Sequence, residues 1–203
     1  MPDTKFNPRT VDWTGENPGI YLKETADGPW TGLMTFYRVC WSPCGPGHGI
    51  IVLDEPNVEK GYPEVNNFCI ADNQELAKYL IDHFFSNFNS FKVSPGLRAM
   101  TMLPMTDVRR DGDTRSTYSE IVTAKDLEVK ATWKGLTDPY AVDFPAEVGP
   151  TKAHQMYSCF IDASDAEVTI NNKPLKGGLT IRNAAGIDKS SAFLAFSETW
   201  LKV

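Results

Sequence analysis

The sequence predicts a mainly β, single-domain protein: an antiparallel β-barrel or strongly curved sheet carrying one amphipathic helix near residues 73–88. Three observations predict it. The chain has 203 residues, 41% hydrophobic and 23% charged, a one-domain length with an ordinary globular composition. From residue 18 onward it reads as short β-like runs separated by Gly, Pro, Asn and Asp. The gaps between runs are mostly too short for parallel crossovers, which need about a dozen residues or more.

The first 17 residues carry Pro2, Pro8 and Gly15 with little periodicity. They are expected to form an N-terminal arm, with residues 18–203 as the barrel-like domain. Runs of β texture follow at Gly19–Thr25, Gly32–Trp41, Gly49–Leu53 and Asn67–Ile70. The pattern then changes: Leu76, Tyr79, Leu80, Phe84 and Phe88 recur at the spacing of one helix face. Asp72 or Asn73 can cap this helix, and Glu75 lies three residues after Asp72, as in a capping box. Further strands are expected at Leu97–Thr106, Arg115–Ala124, Leu127–Lys134, Tyr140–Phe144, Ala153–Ile161, Ala166–Asn171, Leu179–Asn183 and Ala192–Lys202. Asp111-Gly112 predicts a type I′ hairpin, and Asn171 to Pro174 and Gly177-Gly178 predict further reversals. In outline such a barrel resembles the calycins, a likeness of shape with no residue motif behind it. It implies an interior with room for roughly one small ligand.

Twenty Lys plus Arg against 26 Asp plus Glu leave a net charge of −6. An acidic chain without a basic run is not expected to bind nucleic acid or an anionic membrane. No apolar stretch is long enough for a transmembrane helix, and the N-terminus lacks the apolar core of a signal peptide. Four cysteines are too few for a disulfide framework in a chain this long, so reduced thiols in a cytoplasm are expected. Association through an exposed strand edge would most simply give a homodimer.

Strand alternation sorts side chains by face. In Ala192–Lys202, Ala192, Leu194, Phe196 and Trp200 share a face with Glu198. Arg38 shares one with Met34, Phe36 and Cys40; Arg98 with Met100 and Met102; Glu120 with Tyr118 and Val122; and His154 with Met156 and Phe160. If these faces line one interior, a few charged groups converge in an apolar cavity, the composition of a ligand pocket. The competing reading is that some of them point at water, or that Arg38–Glu198 or Arg98–Glu120 is a structural ion pair.

Cys40-Trp41-Ser42-Pro43-Cys44-Gly45-Pro46-Gly47-His48-Gly49 holds two thiols and an imidazole, ligand types that suit Zn²⁺. Their spacing is not a common structural-zinc pattern. A rigid Pro/Gly loop with no metal is the expected reading; a metal site would need Cys40, Cys44 and His48 together with a fourth ligand from Cys69, Cys159 or His154. The chain has no nucleophile elbow, no phosphate loop and no dinucleotide fingerprint, so no cofactor is expected.

These residues predict a small cofactor-independent enzyme of lyase, isomerase, hydratase or cyclase type, doing acid–base chemistry on a small organic substrate. Glu198, His154, Glu120 or His48 would move the proton. Arg38 and Arg98 would hold a carboxylate if the substrate bears one, with Tyr118, Trp200 and Met156 lining the cavity. The alternative is a non-catalytic carrier for a hydrophobic small molecule, resting on the same cavity and its adaptable methionines.

Overall fold

Five strands precede the helical segment: β1 (Val11–Glu16), β2 (Gly19–Lys23), β3 (Trp30–Trp41), β4 (Gly47–Leu53) and β5 (Asn67–Ala71). The helical segment comprises α1 (Gln74–His83), a 3-10 turn (Phe85–Asn87), α2 (Asn89–Lys92) and α3 (Gly96–Ala99). After it come β6 (Thr101–Pro104), β7 (Asp107–Gly112), β8 (Thr117–Ala124), β9 (Leu127–Leu136) and β10 (Tyr140–Phe144). The chain ends with β11 (His154–Ile170), β12 (Lys173–Pro174), β13 (Ile181–Ala184), β14 (Ile187–Ser190) and β15 (Ala192–Lys202). The computed structural model describes residues 6–184 and 186–203, so the first five residues of the expected arm lie outside the described residues.

Among the described residues, thirteen strands form one sheet in the order β6-β5-β4-β3-β1-β15-β11-β9-β8-β7; β2 pairs with β15 and β3, and β10 and β12 pair with β11. β13 and β14 form a separate two-stranded hairpin. The protein is therefore mainly β, as its alternating runs predict. The sheet is mixed rather than wholly antiparallel, because β5 and β6 run parallel. The helical segment between them supplies the long return that a parallel pair requires. It also takes up the start of the expected Leu97–Thr106 strand, since Gly96–Ala99 is helical.

Val11–Glu16, the later part of the expected arm, is an interior strand between β3 and β15. The expected runs Ala153–Ile161 and Ala166–Asn171 are largely one 17-residue strand, β11. Its first half pairs with β10 and β15 and its second half with β9. The Asp111-Gly112 hairpin exists, but its turn lies further on, because Gly112 is still paired with Tyr118. Asp113 makes the reversal, its carboxylate accepting from the amides of Arg115 at 2.9 Å and Ser116 at 2.8 Å. Here side-chain capping by an Asp overrides the Asp-Gly signal.

Each face of the sheet carries its own core. On one face Ile20, Met34, Phe36, Ile50 and Phe68 from the N-terminal strands meet Val122, Val129, Trp133 and Val168 from the C-terminal ones. The opposite face, bearing Trp13, Leu33, Tyr37 and Ile51, is roofed by Leu76, Leu80, Phe84, Phe85 and Phe91 of the helical segment. Complete burial of each large side chain is worth about 1.5–3 kcal/mol. The two ends of the strand order, β6 and β7, are joined through Met105 and Thr106. The Met105 amide donates to Ala71 and the Thr106 amide to Thr123.

Polar side chains fix the loops to this frame. Asn73 is the α1 N-cap, accepting from the Leu76 amide at 3.0 Å, and its amide group donates to the carbonyls of Cys44 and Pro46. Of the two expected caps Asn73 therefore does the work, while Asp72 turns to His48. Asn67, wholly buried, accepts from the Glu55 amide and donates to the carbonyls of Glu55, Val58 and Lys60. Substituting Asn67→Ala strips these partners from a buried loop. Stability should fall by about 2–4 kcal/mol in urea unfolding, and protease cutting should concentrate between residues 54 and 66.

Candidate functional site

The site depends on an irregularity in β15. Ala192 and Leu194 pack in the first core, and Phe193 and Ala195 in the helix-covered one. In the pairing with β11, Phe196 lies opposite Cys159 but Thr199 lies opposite Tyr157. Ser197 and Glu198 therefore face the single residue Ser158, which makes a β-bulge. Ser197 adopts φ 53°, the left-handed region that non-glycine residues rarely occupy. The bulge reverses the alternation, so Trp200 packs in the helix-covered core. Ala192, Leu194, Phe196, Glu198 and Trp200 thus do not share one face, as simple alternation would require. A bulge without glycine leaves no trace in the sequence.

Glu198 and Trp200 open onto a cavity of about 330 Å³ between the sheet, the helical segment and the β13–β14 hairpin. Its walls include Tyr21, Phe88, Met156, Phe160 and Phe193, and its polar lining includes Asn17, Lys92, Lys152 and Arg182. Trp200 is held by stacking on Trp13 at 6.1 Å and on Phe88 at 5.9 Å, with the Phe84 ring edge-on at 5.2 Å. Its indole N–H donates to Glu198 Oε1 at 2.7 Å. Glu198 is only 3% exposed. Burial pushes its carboxyl up to about 8, against the opposing pull of the Trp200 hydrogen bond and the Arg182 charge. At neutral pH it is chiefly a neutral acid, able to give a proton or, once ionised, to take one.

Arg182, from β13, lays its guanidinium 3.8 Å over the Phe193 ring and 5.7 Å from Phe160. Its Nε donates to the Ser190 carbonyl at 2.9 Å. Burial lowers its pKa, opposed by Tyr21, Tyr140, Asp162 and Glu198. Tyr21 packs edge-on against Phe193 at 5.6 Å. Burial pushes its hydroxyl up to about 12 against the Arg182 charge. Sequence reasoning missed Arg182. Only a lone cation in the Leu179–Asn183 run marked it, and neighbouring Ile181 and Ile187 are exposed, so no amphipathic pattern pointed to a site.

Of the residues singled out by the sequence, the cavity gathers Glu198, Trp200 and Met156; the others lie elsewhere. Arg38, Tyr118 and Glu120 form a separate group. Arg38 pairs with Glu16 and, at 2.9 Å, with the wholly buried Glu120, to which the Tyr118 hydroxyl donates at 2.5 Å. Burial disfavours the Arg38 charge, yet the two carboxylates raise its pKa overall. The structural ion pair is thus Arg38–Glu120, not Arg38–Glu198 or Arg98–Glu120. Arg98 is exposed on α3 and lines, with Met100 and Met102, a separate and larger hollow of about 640 Å³.

His48 sits near the surface, its ring 2.7 Å from the Asp72 carboxylate. His154 is buried one ring from the cavity, its Nε2 2.8 Å from Asp12 and its Nδ1 3.0 Å from the Thr151 hydroxyl. Burial alone would raise the Asp12 pKa, but hydrogen bonds from His154, Tyr79 and Lys202 hold it at about 2. Among the described residues no group of three or more His, Cys, Asp or Glu is placed to hold a metal ion. Cys40, Cys44 and His48 are therefore not gathered into a metal site. Cys40 is exposed and Cys44 lies in the Pro/Gly turn. That turn is held by Ser42, whose hydroxyl donates to the Gly45 carbonyl at 2.6 Å. No helix among the described residues is long and apolar enough to cross a membrane. Comparison of the chain with protein-family models, with curated proteins and with solved structures gives no match.

Two measurements probe this electrostatic arrangement. Arg38→Met leaves Glu120 buried without its counter-charge and should destabilise by about 3–5 kcal/mol in denaturant unfolding; Glu120→Gln should cost less. For Glu198, the folded state retains a proton that the unfolded chain releases between its ordinary pKa of 4.5 and about 8. Folding stability should therefore fall as pH rises through that window, by on the order of 5 kcal/mol. Glu198→Gln, a neutral mimic of the acid, should remove this component. Its melting temperature relative to wild type should rise from pH 5 to pH 8.

Proposed function

We propose that the aromatic cavity beside Trp200 binds a small organic molecule and that Glu198 performs acid–base chemistry on it without an organic cofactor. The observation that carries this reading is a carboxyl buried at the cavity wall whose proton equilibrium is moved to near neutral pH. Enzymes tune a general acid–base group to that range by burial. The strained Ser197 bulge that presents it supports the same reading, since backbone strain concentrates at functional positions. Proton movement is thereby assigned to Glu198; Glu120, His48 and His154 have their own carboxylate or arginine partners outside the cavity. We further infer that the sheet closes as a barrel through the β6–β7 link, with its interior filled by side chains and the ligand held outside it under the helices. Four unpaired thiols fit a reducing cytoplasm.

The test is to screen small aromatic molecules by native mass spectrometry and then follow the chemical fate of each binder. Wild type should convert such a ligand, and Glu198→Gln should bind it with similar affinity while turnover falls at least about 100-fold. Equal turnover by both proteins would remove Glu198 from the mechanism. Return of every ligand intact would make the protein a carrier.

A further inference from the structure

The Arg182 guanidinium is a cation placed in an apolar wall, a costly position unless something compensates it. Its Nε is used by Ser190, and among the described residues Arg182 makes no ion pair with a carboxylate. Asp162, the nearby acid, is already engaged: it accepts from the Tyr140 hydroxyl at 3.1 Å and lies 3.9 Å from Lys189 Nζ. Glu198 accepts from the Trp200 indole and, among the described residues, makes no ion pair with Arg182. The two Nη groups remain for the cavity that Arg182 lines. The guanidinium carbon lies 3.8 Å over the Phe193 ring, and the planar fork suits a two-oxygen anion, which it binds through paired N–H donors. Around this charge the walls are flat rings, Trp200 and Phe88 stacked nearly parallel at 19°, in a volume at the small end of ligand cavities.

We infer that the cavity takes a small planar carboxylate, an aryl or α,β-unsaturated carboxylic acid in its anionic form, and that Arg182 is the residue that binds its carboxylate. This rests on the ligand-binding reading of the cavity given above and adds the class of ligand. Lys92 and Lys152, also in the lining, draw an anion toward the opening but lack the planar fork. The neutral Glu198 acid can donate a hydrogen bond to the same ligand, where an ionised carboxylate would repel it.

The probes are trans-cinnamate and trans-cinnamamide, equal in shape and different in charge, titrated into the full chain by isothermal calorimetry at pH 7. Wild type should bind cinnamate about tenfold or more tightly than the amide. Arg182→Met should bind the two alike, at the wild-type affinity for the amide, with an unchanged melting temperature showing that it is folded. Arg182→Lys should keep only part of the preference, and Glu198→Gln should keep all of it. If wild type binds both probes equally, the carboxylate inference fails and the cavity reading stands. A preference that survives in Arg182→Met assigns the charge to a lysine and overturns the role of Arg182. If neither probe binds, the carboxylate inference fails, and the screen of small aromatic molecules decides separately whether the ligand-binding reading stands.

Discussion

One strand, β15, is shared by everything else, and the break in its alternation decides which side chains go where. It pairs with β1, β2 and β11, so it cannot shift without disturbing the centre of the sheet. Its N-terminal half gives Leu194 to the first core, and its C-terminal half gives Trp200 to the second. A regular strand would aim Glu198 and Trp200 at the first core, which is already filled by rings and branched side chains. The bulge at Ser197 relieves that conflict by swapping the faces, so that Trp200 joins Phe193 and Ala195 in the helix-covered core. The cost is one residue in the left-handed region, on the order of 1–3 kcal/mol.

The two interiors are built on different physics. The first is a dry core of aliphatic and aromatic residues closed at one end by the Arg38–Glu16–Glu120–Tyr118 group, where charges satisfy one another. The second is richer in aromatic rings, and there the sheet face is roofed by the short helices. Rings there meet edge to face, as Trp13 and Phe84 do at 89°, an arrangement aromatic pairs favour. The cavity lined by Glu198, Trp200 and Arg182 lies on the side of this second interior.

Much of the fold was legible in the sequence. The β1 strand was not, since an arm rich in Pro and Gly hides the six residues that insert between β3 and β15. The parallel β5–β6 pair was missed because α2 and α3 are four residues each, too short for a periodic signal. For the site, the clue of an ionisable residue among apolar neighbours found Glu198, Trp200 and Met156. The same clue also brought in Arg38 and Glu120, which satisfy each other. Pattern alone cannot tell a buried charge with a partner from one without, because partners come from distant strands: Arg38 and Glu120 are 82 residues apart. Arg182 was invisible for the opposite reason, since it sits on a hairpin with exposed isoleucines and is buried only by what that hairpin covers.

The hydrogen bond from the Trp200 indole to Glu198 links a chromophore directly to a titrating carboxyl. An indole's emission energy responds to electric fields along its ring, and a negative charge appearing one hydrogen bond away is among the largest such fields a protein can apply. Among the described residues Trp200 is the one tryptophan of the five that is hydrogen-bonded to an acid, and it also forms part of the cavity wall. Ionisation of Glu198 would therefore place a full negative charge against the Trp200 ring. A shift of the Trp200 emission with pH would then report the charge on the acid beside the cavity, with no label attached.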